Sequence, residues 1–551
     1  MNIEKFININ WYMQRKPYDI HSVADVFYLK ICRKLFAIID DLSIEHENNI
    51  ELGEENCRDL AYVITAYFED VVNEIGFWQS VVDLNKKYFK KRLPFFDAPE
   101  LEEEEQSSDD IVSADIHYLL YINYAAMVNG DEEKEFVFFE SAFFRKATES
   151  IYNYLADIEE VHTTPFYEKY LVPDEDFIDF KNKLMWFALE GYITGVEFIL
   201  RMEDFSLELH EQDTDKDMFP AVMYAETDRL IFEQPSVITA YTALEIFTGA
   251  LRCTEAKKEE IRSLKLRPYG IFHIQNESAA HITFLHTATG EEFKVLKSSF
   301  ANPPVSDENE YWLTTLAKWD NDHYVSGLCF ASPYKGEEIY NFNLQTQQSI
   351  QKHFPPYREQ IIKTATDFRN KASSYFGKEL VEFSSGKELQ NNLVSFNEWY
   401  FKNVTDSSKL TNNKKPGKMP AVKELMDAGE VALFIPPADG FEIIYVHKIL
   451  LETLQMCAPE KASWREIKNV TDAMLTNGIS KEYWLYIKKQ FDLPNLSLFL
   501  QCDVEDDRDF EALLRIYKPN DFSASKLPRF KTFTSEKVST EKAKEIFGIG
   551  K

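Results

Sequence analysis

The chain has 551 residues, a hydrophobic content of 44% and a formal net charge of −31. Its length exceeds one typical hydrophobic core, which predicts three or four structural units, and its composition predicts packed cores rather than a disordered chain. A negative charge of this size repels polyanions, so broad nucleic-acid binding and docking on anionic lipid are disfavoured.

The cysteines and the apolar segments indicate the compartment. No two of the six cysteines form a C-x-x-C pair, which is typical of free thiols in a reducing environment. Residues 1–15 lack the apolar stretch of a secretory leader, and no segment approaches the roughly 18 apolar residues of a membrane helix. The sequence therefore predicts a cytoplasmic protein without a membrane partner. The cysteines are Cys32, Cys57, Cys253, Cys329, Cys457 and Cys502.

Two helical units are predicted first, at 1–98 and 111–262, separated by an acidic run at 100–110 that is typical of a solvated loop. Ser22 precedes an apolar-periodic segment and Asp25 follows it by three residues, which resembles the capping box of a helix. Apolar residues then recur at helical spacing, although 218–232 is interpreted as a short strand pair. The later helices are expected at 60–71, 77–88, 111–128, 135–161, 174–210 and 236–251.

A run of strand patterns follows, within a segment predicted as a small β-barrel at 263–340. Ile282 and Phe284 alternate along one strand, and Gly290 allows the positive φ that a tight hairpin turn needs. About five short strands are expected, a number that suits an SH3-like or OB-like barrel. Their expected positions are 271–274, 281–286, 293–295, 312–319 and 324–330.

The C-terminal part is predicted to be a helical connector at 341–408, a linker at 409–420 and an α+β unit at 421–551. The connector contains a strongly amphipathic helix, and the last unit begins with a hairpin followed by helices. The fold class is therefore α+β: mainly α-helical, with a small inserted SH3/OB-like β-barrel and a C-terminal α+β unit. Finer expectations are a helix at 348–376, strands at 431–435, 441–445 and 492–502, a helix at 446–456, and a basic tail from 514.

Motifs for chemistry are missing. The chain has no P-loop motif, no G-x-G-x-x-G and no G-x-S-x-G, and Gly249 stands alone in a helical pattern, where packing or capping is its expected role. His281 and His286 are five apart on one predicted strand, so they point to opposite faces and cannot share a metal. Asp320 and Asp322 could act as acid/base carboxylates, but a polar hairpin turn is the preferred interpretation of this pair. No catalytic residue, metal ligand or cofactor is predicted.

The barrel aromatics are the candidate contact residues. Trp312 and Trp319 are seven apart, so on a regular strand they face opposite ways. The one that faces outward, with Trp319 the preferred candidate, is expected to form a patch with Tyr324 that docks a partner or the helices of the same chain. The alternative is that both tryptophans fill the barrel and its helical interface. Acidic residues outnumber basic ones between 265 and 333, which disfavours nucleic acid as the occupant.

Several short segments of the sequence together resemble a known protein family. The stretches at 61–72, 76–79 and 93–97, with barrel phrases at 289–293 and 318–327 and the segment 434–440, are similar to an uncharacterised bacterial family built from a domain of unknown function. The resemblance implies that the helices, the barrel and the C-terminal unit form one recurring architecture. It brings no assigned activity, so it assigns no catalytic residue.

Three hypotheses for function follow. The first is a non-enzymatic cytoplasmic interaction or scaffold protein with a protein partner, favoured because no chemical motif is present. The second is an enzyme whose site is assembled from dispersed residues, which a pocket holding buried carboxylates or histidines with shifted pKa values would favour. The third is an accessory component of a nucleic-acid-processing or phage-defence system, suggested by the basic tail.

Overall fold

The computed structural model describes most of the chain, and several predicted features lie outside the described residues. These are the acidic loop at 100–110, the linker at 409–420, the strand at 492–502 and the basic tail beyond 522. The chain divides into two compact units, Met1–Phe354 with Ala512–Lys526 and Pro355–Glu511 with Leu527–Lys551. The described residues are 3–44, 52–94, 111–128, 142–173, 176–211, 219–236, 239–300, 311–332, 334, 338–339, 355–403, 423–436, 440–445, 447–456, 479–491 and 507–522.

Helices dominate the first unit, as predicted. Ser22 caps one of them: its hydroxyl accepts from the Asp25 amide at 3.3 Å, and the Asp25 carboxylate accepts from the Ser22 amide at 2.6 Å. This reciprocal pair is the predicted capping box. The helices are α1 Ile3–Phe6, α2 Ile9–Met13, α3 Val23–Ser43, α4 Glu54–Val72, α5 Phe77–Phe89, α6 Ser113–Val128, α7 Ala142–Ala156, α8 Phe166–Tyr170, α9 Phe177–Glu190, α10 Gly195–Glu211, α11 Phe219–Glu233, α12 Ala243–Ala250 and α13 Glu255–Arg262.

Three predictions for the helical part of the chain differ from the structure. The strand pair expected at 218–232 is the helix α11, because Pro220 suits a first turn and the residues after it are mostly good helix formers. The single helix expected at 174–210 is broken into α9 and α10 at Gly191. The helix expected to start at Ser236 starts after Thr242, whose hydroxyl accepts from the Glu245 amide at 3.1 Å in a second capping box.

The barrel is present between the helices. Its strands pair around a ring in the order β1-β2-β3-β5-β4, and β4 pairs again with β1. Each pairing is antiparallel except the seam between β3 and β5, which is parallel and rests on one pair, Val295 with His323. This order is OB-like rather than SH3-like, because the first strand is shared by both halves and the third and fifth run together. The strands are β1 Tyr269–Glu277, β2 His281–His286, β3 Glu292–Leu296, β4 Tyr311–Trp319 and β5 Asp322–Ala331.

The barrel interior follows the predicted alternation. Ile282 and Phe284 are fully buried, and Gly290 has a φ of 71° in the turn after β2. His286 is buried and His281 is half-buried on the opposite face, where its Nε2 lies 2.9 Å from Asp322 Oδ1. The two histidines therefore point apart, as predicted, and the polar-turn interpretation of Asp322 is the one that the geometry supports.

His286 is the buried titratable group of this interior. Its Nδ1 lies 2.9 Å from Thr289 Oγ1, and a Cβ on Gly270 would come within 2.2 Å of its Nε2, so the ring fits only beside glycine. Burial lowers the pKa of His286 to about 4, from an ordinary value of 6.5. The imidazole is therefore neutral in the folded barrel throughout the neutral range.

Acid is expected to destabilise the barrel through His286. Between pH 6.5 and 4 the unfolded state binds a proton that the folded state does not, so the stability falls as the pH falls, by up to about 3 kcal/mol across the window. Amide hydrogen exchange of β1–β3, corrected for its intrinsic pH dependence, measures this loss. His286→Gln should be less stable at pH 7.5 but show a shallower slope, and an unchanged slope would contradict the assignment.

The second unit is built on a three-stranded antiparallel sheet of order β6-β7-β8. Strands β7 and β8 form the predicted hairpin, whereas β6 lies inside the segment interpreted as a helical connector and is too short to show a period. The core of the unit includes Leu393, Phe396 and Leu433. The elements are α14 Pro355–Phe376, β6 Leu380–Phe383, α15 Gly386–Asn403, α16 Lys423–Met426, β7 Val431–Phe434, β8 Glu442–Ile444, α17 His447–Met456 and α18 Lys481–Gln490, and two further helices are α19 Asp507–Tyr517 and α20 Pro519–Phe522.

Candidate functional site: a cavity between helices

The predicted contact aromatics Trp319 and Tyr324 lie against helix α9 of the same chain. Trp319 is 2% exposed, and its ring centroid lies 4.8 Å from that of Phe180. Tyr324 is 8% exposed and lies 5.5 Å from Phe177. Lys257 covers the indole of Trp319 at 4.6 Å. The helices of the same chain therefore cover these two aromatics, and a role of Trp319 and Tyr324 in binding a partner stays a prediction.

Trp312 is placed differently. It lies at the start of β4, where it pairs with Phe272 of β1 and Ala331 of β5, and it is half-buried. A bulge between Thr314 and Thr315 separates it from Trp319. The structure thus does not bring Trp312 together with the other two aromatics, and its role as a partner contact stays a prediction.

A buried ion network lies beside the aromatic contact. Asp228 of α11 binds Lys181 of α9, with 2.6 Å between Oδ1 and Nζ, and binds Arg267, with 2.5 Å between Oδ2 and the guanidinium. Arg267 also reaches Glu233 at 3.2 Å and Ser326 of β5 at 2.7 Å. Burial alone would raise the pKa of Asp228, but Arg267 and Lys181 hold it below its ordinary value. The network joins the barrel to the helices, and its carboxylates and cations pair with one another, so it is structural.

A cavity of about 270 Å³ opens elsewhere in the helical unit, which we call the helical cavity. One wall is the first half of α4 and the other is the first half of α10, and Met127 of α6 lies between them. The residues of α10 that line it fall at 195, 196, 199, 200 and 203, which is one stripe of a helix. A concave site with apolar walls and a few converging polar groups is the usual form of a ligand site.

The break between α9 and α10 forms one end of this cavity. A Cβ on Gly191 would lie 2.3 Å from the Phe187 carbonyl oxygen, and a Cβ on Gly195 would lie 2.8 Å from that of Leu189. Side chains are therefore excluded at both positions, and the backbone itself closes the cavity. The Tyr62 hydroxyl lies 3.2 Å from the Arg15 carbonyl oxygen and 3.4 Å from the Glu190 carbonyl oxygen, so it holds α4 against the same end.

The one guanidinium in the lining is already engaged. Arg15 binds the Asp59 carboxylate at 3.2 Å, and its guanidinium lies 4.2 Å from the ring centroid of Trp11. Asp59 also lies 3.6 Å from Arg58. Burial nevertheless raises the pKa of Asp59, although both arginines oppose the rise. Arg15 thus offers little free positive charge to an anionic ligand.

Glu190, unlike Asp59, has no arginine or lysine bound to its carboxylate within the described residues. It is half-buried at the glycine end of the cavity and forms no ion pair within the described residues. Burial raises its pKa, and the nearby Arg15 only partly offsets this. Two more carboxylates of the lining, Glu55 and Glu203, are exposed. The lining therefore holds four carboxylates against one guanidinium, and its field favours a cation.

This cavity has no direct signal in the sequence, because its charged residues lie in α4, in α10, at the end of α9 and at Arg15. Each of them alone resembles an ordinary charged position on a helix surface. The one usable signal was the pair Gly191 and Gly195, four residues apart within a helical pattern, since isolated glycines there mark a break or a close backbone approach.

A second cavity, of about 460 Å³, lies in the C-terminal unit between α17 and the adjoining ends of β6 and β7. His447, 2% exposed at its side chain, joins Glu382 to Tyr483: its Nε2 lies 3.1 Å from Glu382 Oε1 and its Nδ1 lies 2.7 Å from the Tyr483 hydroxyl. Burial lowers the pKa of His447, although Glu382 raises it in part. A neutral ring that accepts from Tyr483 and donates to Glu382 satisfies all three groups.

Other sites of chemistry were sought across the described residues. No group of three or more His, Cys, Asp or Glu there could hold a metal ion. Cys32, Cys57, Cys253 and Cys329 are free thiols, while Cys457 and Cys502 lie outside the described part. Gly249 packs on Ser80, which is the expected packing role. No described helix combines the length and apolarity needed to cross a bilayer.

Comparison with known proteins supports the resemblance for residues 6–233 only, and the segments of the barrel and of the C-terminal unit lie outside the match. No curated protein and no solved structure matches the chain. Every residue that lines the helical cavity falls between 15 and 203. That whole range lies inside residues 6–233, the part of the chain that matches the family described as "Protein of unknown function (DUF3843)".

Proposed function

We propose that the protein is a binding protein whose helical cavity receives an organic cation, without catalysing a reaction on it. The cation is an ammonium or guanidinium group, carried either by a small molecule or by a basic side chain of a protein partner. The observation that carries the proposal is Glu190, a half-buried carboxylate in a cavity, with no ion pair within the described residues and a raised pKa. A bound cation would supply the opposite charge that Glu190 lacks within the described residues.

The walls suit the stem of such a ligand. Leu189, Val196, Ile199, Leu200 and Met127 present apolar surface in the same lining. Alkylammonium and guanidinium side chains bury their methylene groups along apolar surface while their heads seek carboxylates. The engaged Arg15 argues against an anion as the preferred occupant.

A location in the cytoplasm belongs to the same proposal. It is supported by free thiols at four of the six cysteines and by the lack of closely spaced cysteine pairs. A basic side chain of a protein partner is one of the two sources of the cation. Nucleic acid is not proposed as the ligand, since the charge of the chain opposes it.

An enzyme is the second candidate function, favoured by the second cavity. There the Glu382 side chain is 71% exposed, and His447 and Tyr483 hold it by the hydrogen-bonded chain described above. An oriented carboxylate at a cavity could act as a general base. The binding function is preferred because the Ser384 hydroxyl in the lining of this cavity donates to Glu388 at 2.6 Å, and because no group of three or more His, Cys, Asp or Glu among the described residues could hold a metal ion.

Glu190→Gln is expected to weaken cation binding about 10- to 100-fold, since a hydrogen bond to a charged group is worth roughly 1.5–3 kcal/mol. Wild-type binding should also weaken as the pH falls from 8 to 5. The pKa of Glu190 is raised, so this carboxylate takes up its proton, and loses its charge, at a higher pH than an ordinary glutamate. The variant should have a shallower pH dependence. Isothermal titration calorimetry with butylamine and butylguanidine measures both effects.

Glu208→Gln is the matched control, because Glu208 is exposed on α10 outside the cavity. It removes the same net charge and should leave the affinity unchanged. A lysine- and arginine-containing peptide forms the second arm: tighter Glu190-dependent binding of the peptide than of the free amines identifies a protein source. Equal affinity of wild type, Glu190→Gln and Glu208→Gln for every probe would refute the proposed function.

A further inference from the structure

The helical cavity has two charged ends at a defined separation. Tyr62 lies seven positions after Glu55 in α4, and Glu203 lies eight positions after Gly195 in α10. With a rise of 1.5 Å per residue, these stretches are roughly 10 and 12 Å long. The two walls therefore have nearly the same length.

Contacts at one end fix how the walls are oriented. Tyr62 contacts the Glu190 carbonyl oxygen, and Gly195 approaches the Leu189 carbonyl oxygen, so both walls meet at the Glu190 end. From there α4 runs back toward Glu55 and α10 runs forward toward Glu203. The exposed carboxylates of Glu55 and Glu203 thus lie at the far end, roughly 10 Å from the Glu190 end.

The middle of the cavity differs from both ends. Asp59 is neutralised there by Arg15 and Arg58, and Val196, Ile199 and Leu200 supply apolar surface. A ligand with one positive charge would satisfy Glu190 and leave the far carboxylates unpaired. A ligand with two charges joined by an apolar chain would match both ends and the middle.

We propose that the ligand of the helical cavity is a linear aliphatic diamine or polyamine, with its outer ammonium groups about 10 Å apart. One ammonium binds Glu190 at the closed end, and the other binds Glu55 and Glu203 at the open end. The methylene chain lies along the apolar walls. This inference rests on the proposed function and adds the number and the spacing of the charges.

Octylamine and octane-1,8-diamine test the inference, since they differ only in the second amino group. Calorimetric titration of the full chain should show the diamine binding roughly fivefold more tightly, as expected for an added exposed ion pair. The variant Glu55→Gln/Glu203→Gln should abolish that gain, so that it binds the diamine and octylamine with equal affinity. Glu190→Gln should weaken the binding of both ligands.

The two failures are distinguishable. Equal affinity of the two ligands, each dependent on Glu190, would overturn the diamine inference and leave the proposed function standing. A diamine gain that survives in Glu55→Gln/Glu203→Gln would also overturn it, because the second charge would then bind elsewhere. Binding of neither ligand in a Glu190-dependent manner would overturn both. Glu208→Gln again controls for general attraction to an acidic protein, and thermal melting confirms that each variant is folded.

Discussion

Arg267→Met is expected to destabilise the first unit by about 3–5 kcal/mol, the usual cost of removing one partner from a buried ion pair. The Arg267 side chain is 2% exposed and binds both Asp228 and Glu233. Lys181 would remain on Asp228, but Glu233 would lose the cation that it binds. The stacking of the guanidinium on Phe232, at 4.1 Å, would be lost as well. Urea unfolding monitored by circular dichroism measures the loss.

Arg262→Met is the matched control for this prediction. Arg262 also binds two carboxylates, those of Glu255 and Glu259, but both partners are more than 60% exposed. Exposed ion pairs are worth about 0–1 kcal/mol each, so the control should cost far less. If the two variants were equally stable, the buried network would not hold the barrel to the helices, and the aromatic contact alone would have to do so.

The strands of the barrel could be predicted because apolar and polar residues alternate along each of them. Ile282 and Phe284 show the face of β2, and Gly290 marks its turn, so the local pattern already contains the local structure. The seam between β3 and β5 could not be predicted in this way. It joins Val295 to His323 in parallel, and no turn connects the two strands to fix their register.

The helix α11 is the opposite case, since its sequence is interpreted as a strand pair. Its apolar residues are buried only toward its end, at Leu230, Ile231 and Phe232, where it packs in the first unit near Arg267. A helix that meets its neighbours along a short part of its length need not carry a full amphipathic stripe. The sequence therefore lacked the period that identifies a helix, although the residue preferences were helical.

The helical cavity could not be predicted for a related reason. Glu190, Glu55 and Glu203 are separated along the chain, and each occupies a position where a charged residue needs no special explanation. These carboxylates line one cavity because of the break at Gly191 and the contact of Tyr62 with the end of α9, which are both tertiary features. By contrast, the sequence predicts the barrel aromatics Trp319 and Tyr324 as contact residues, and both are buried against helices of the same chain.

Trp319→Ala is expected to destabilise the first unit by about 3–5 kcal/mol, the range for truncation of a buried large aromatic. The indole packs between Phe180, Phe177 and Lys257, so its removal leaves a cavity at the junction of barrel and helices. Thermal and urea unfolding measure the loss. Hydrogen exchange should rise in β4, β5 and α9 together, because these elements share the contact.

Trp312→Ala separates packing from partner binding, because Trp312 is half-buried and has no part in the contact with α9. It should cost clearly less stability than Trp319→Ala. A protein partner that binds the wild type and Trp319→Ala equally, while Trp319→Ala is folded but less stable, would show that Trp319 serves the internal junction alone. A partner lost in Trp312→Ala at full stability would instead assign the predicted contact to Trp312, since a half-buried aromatic on a rigid strand can still bury apolar area against a second protein.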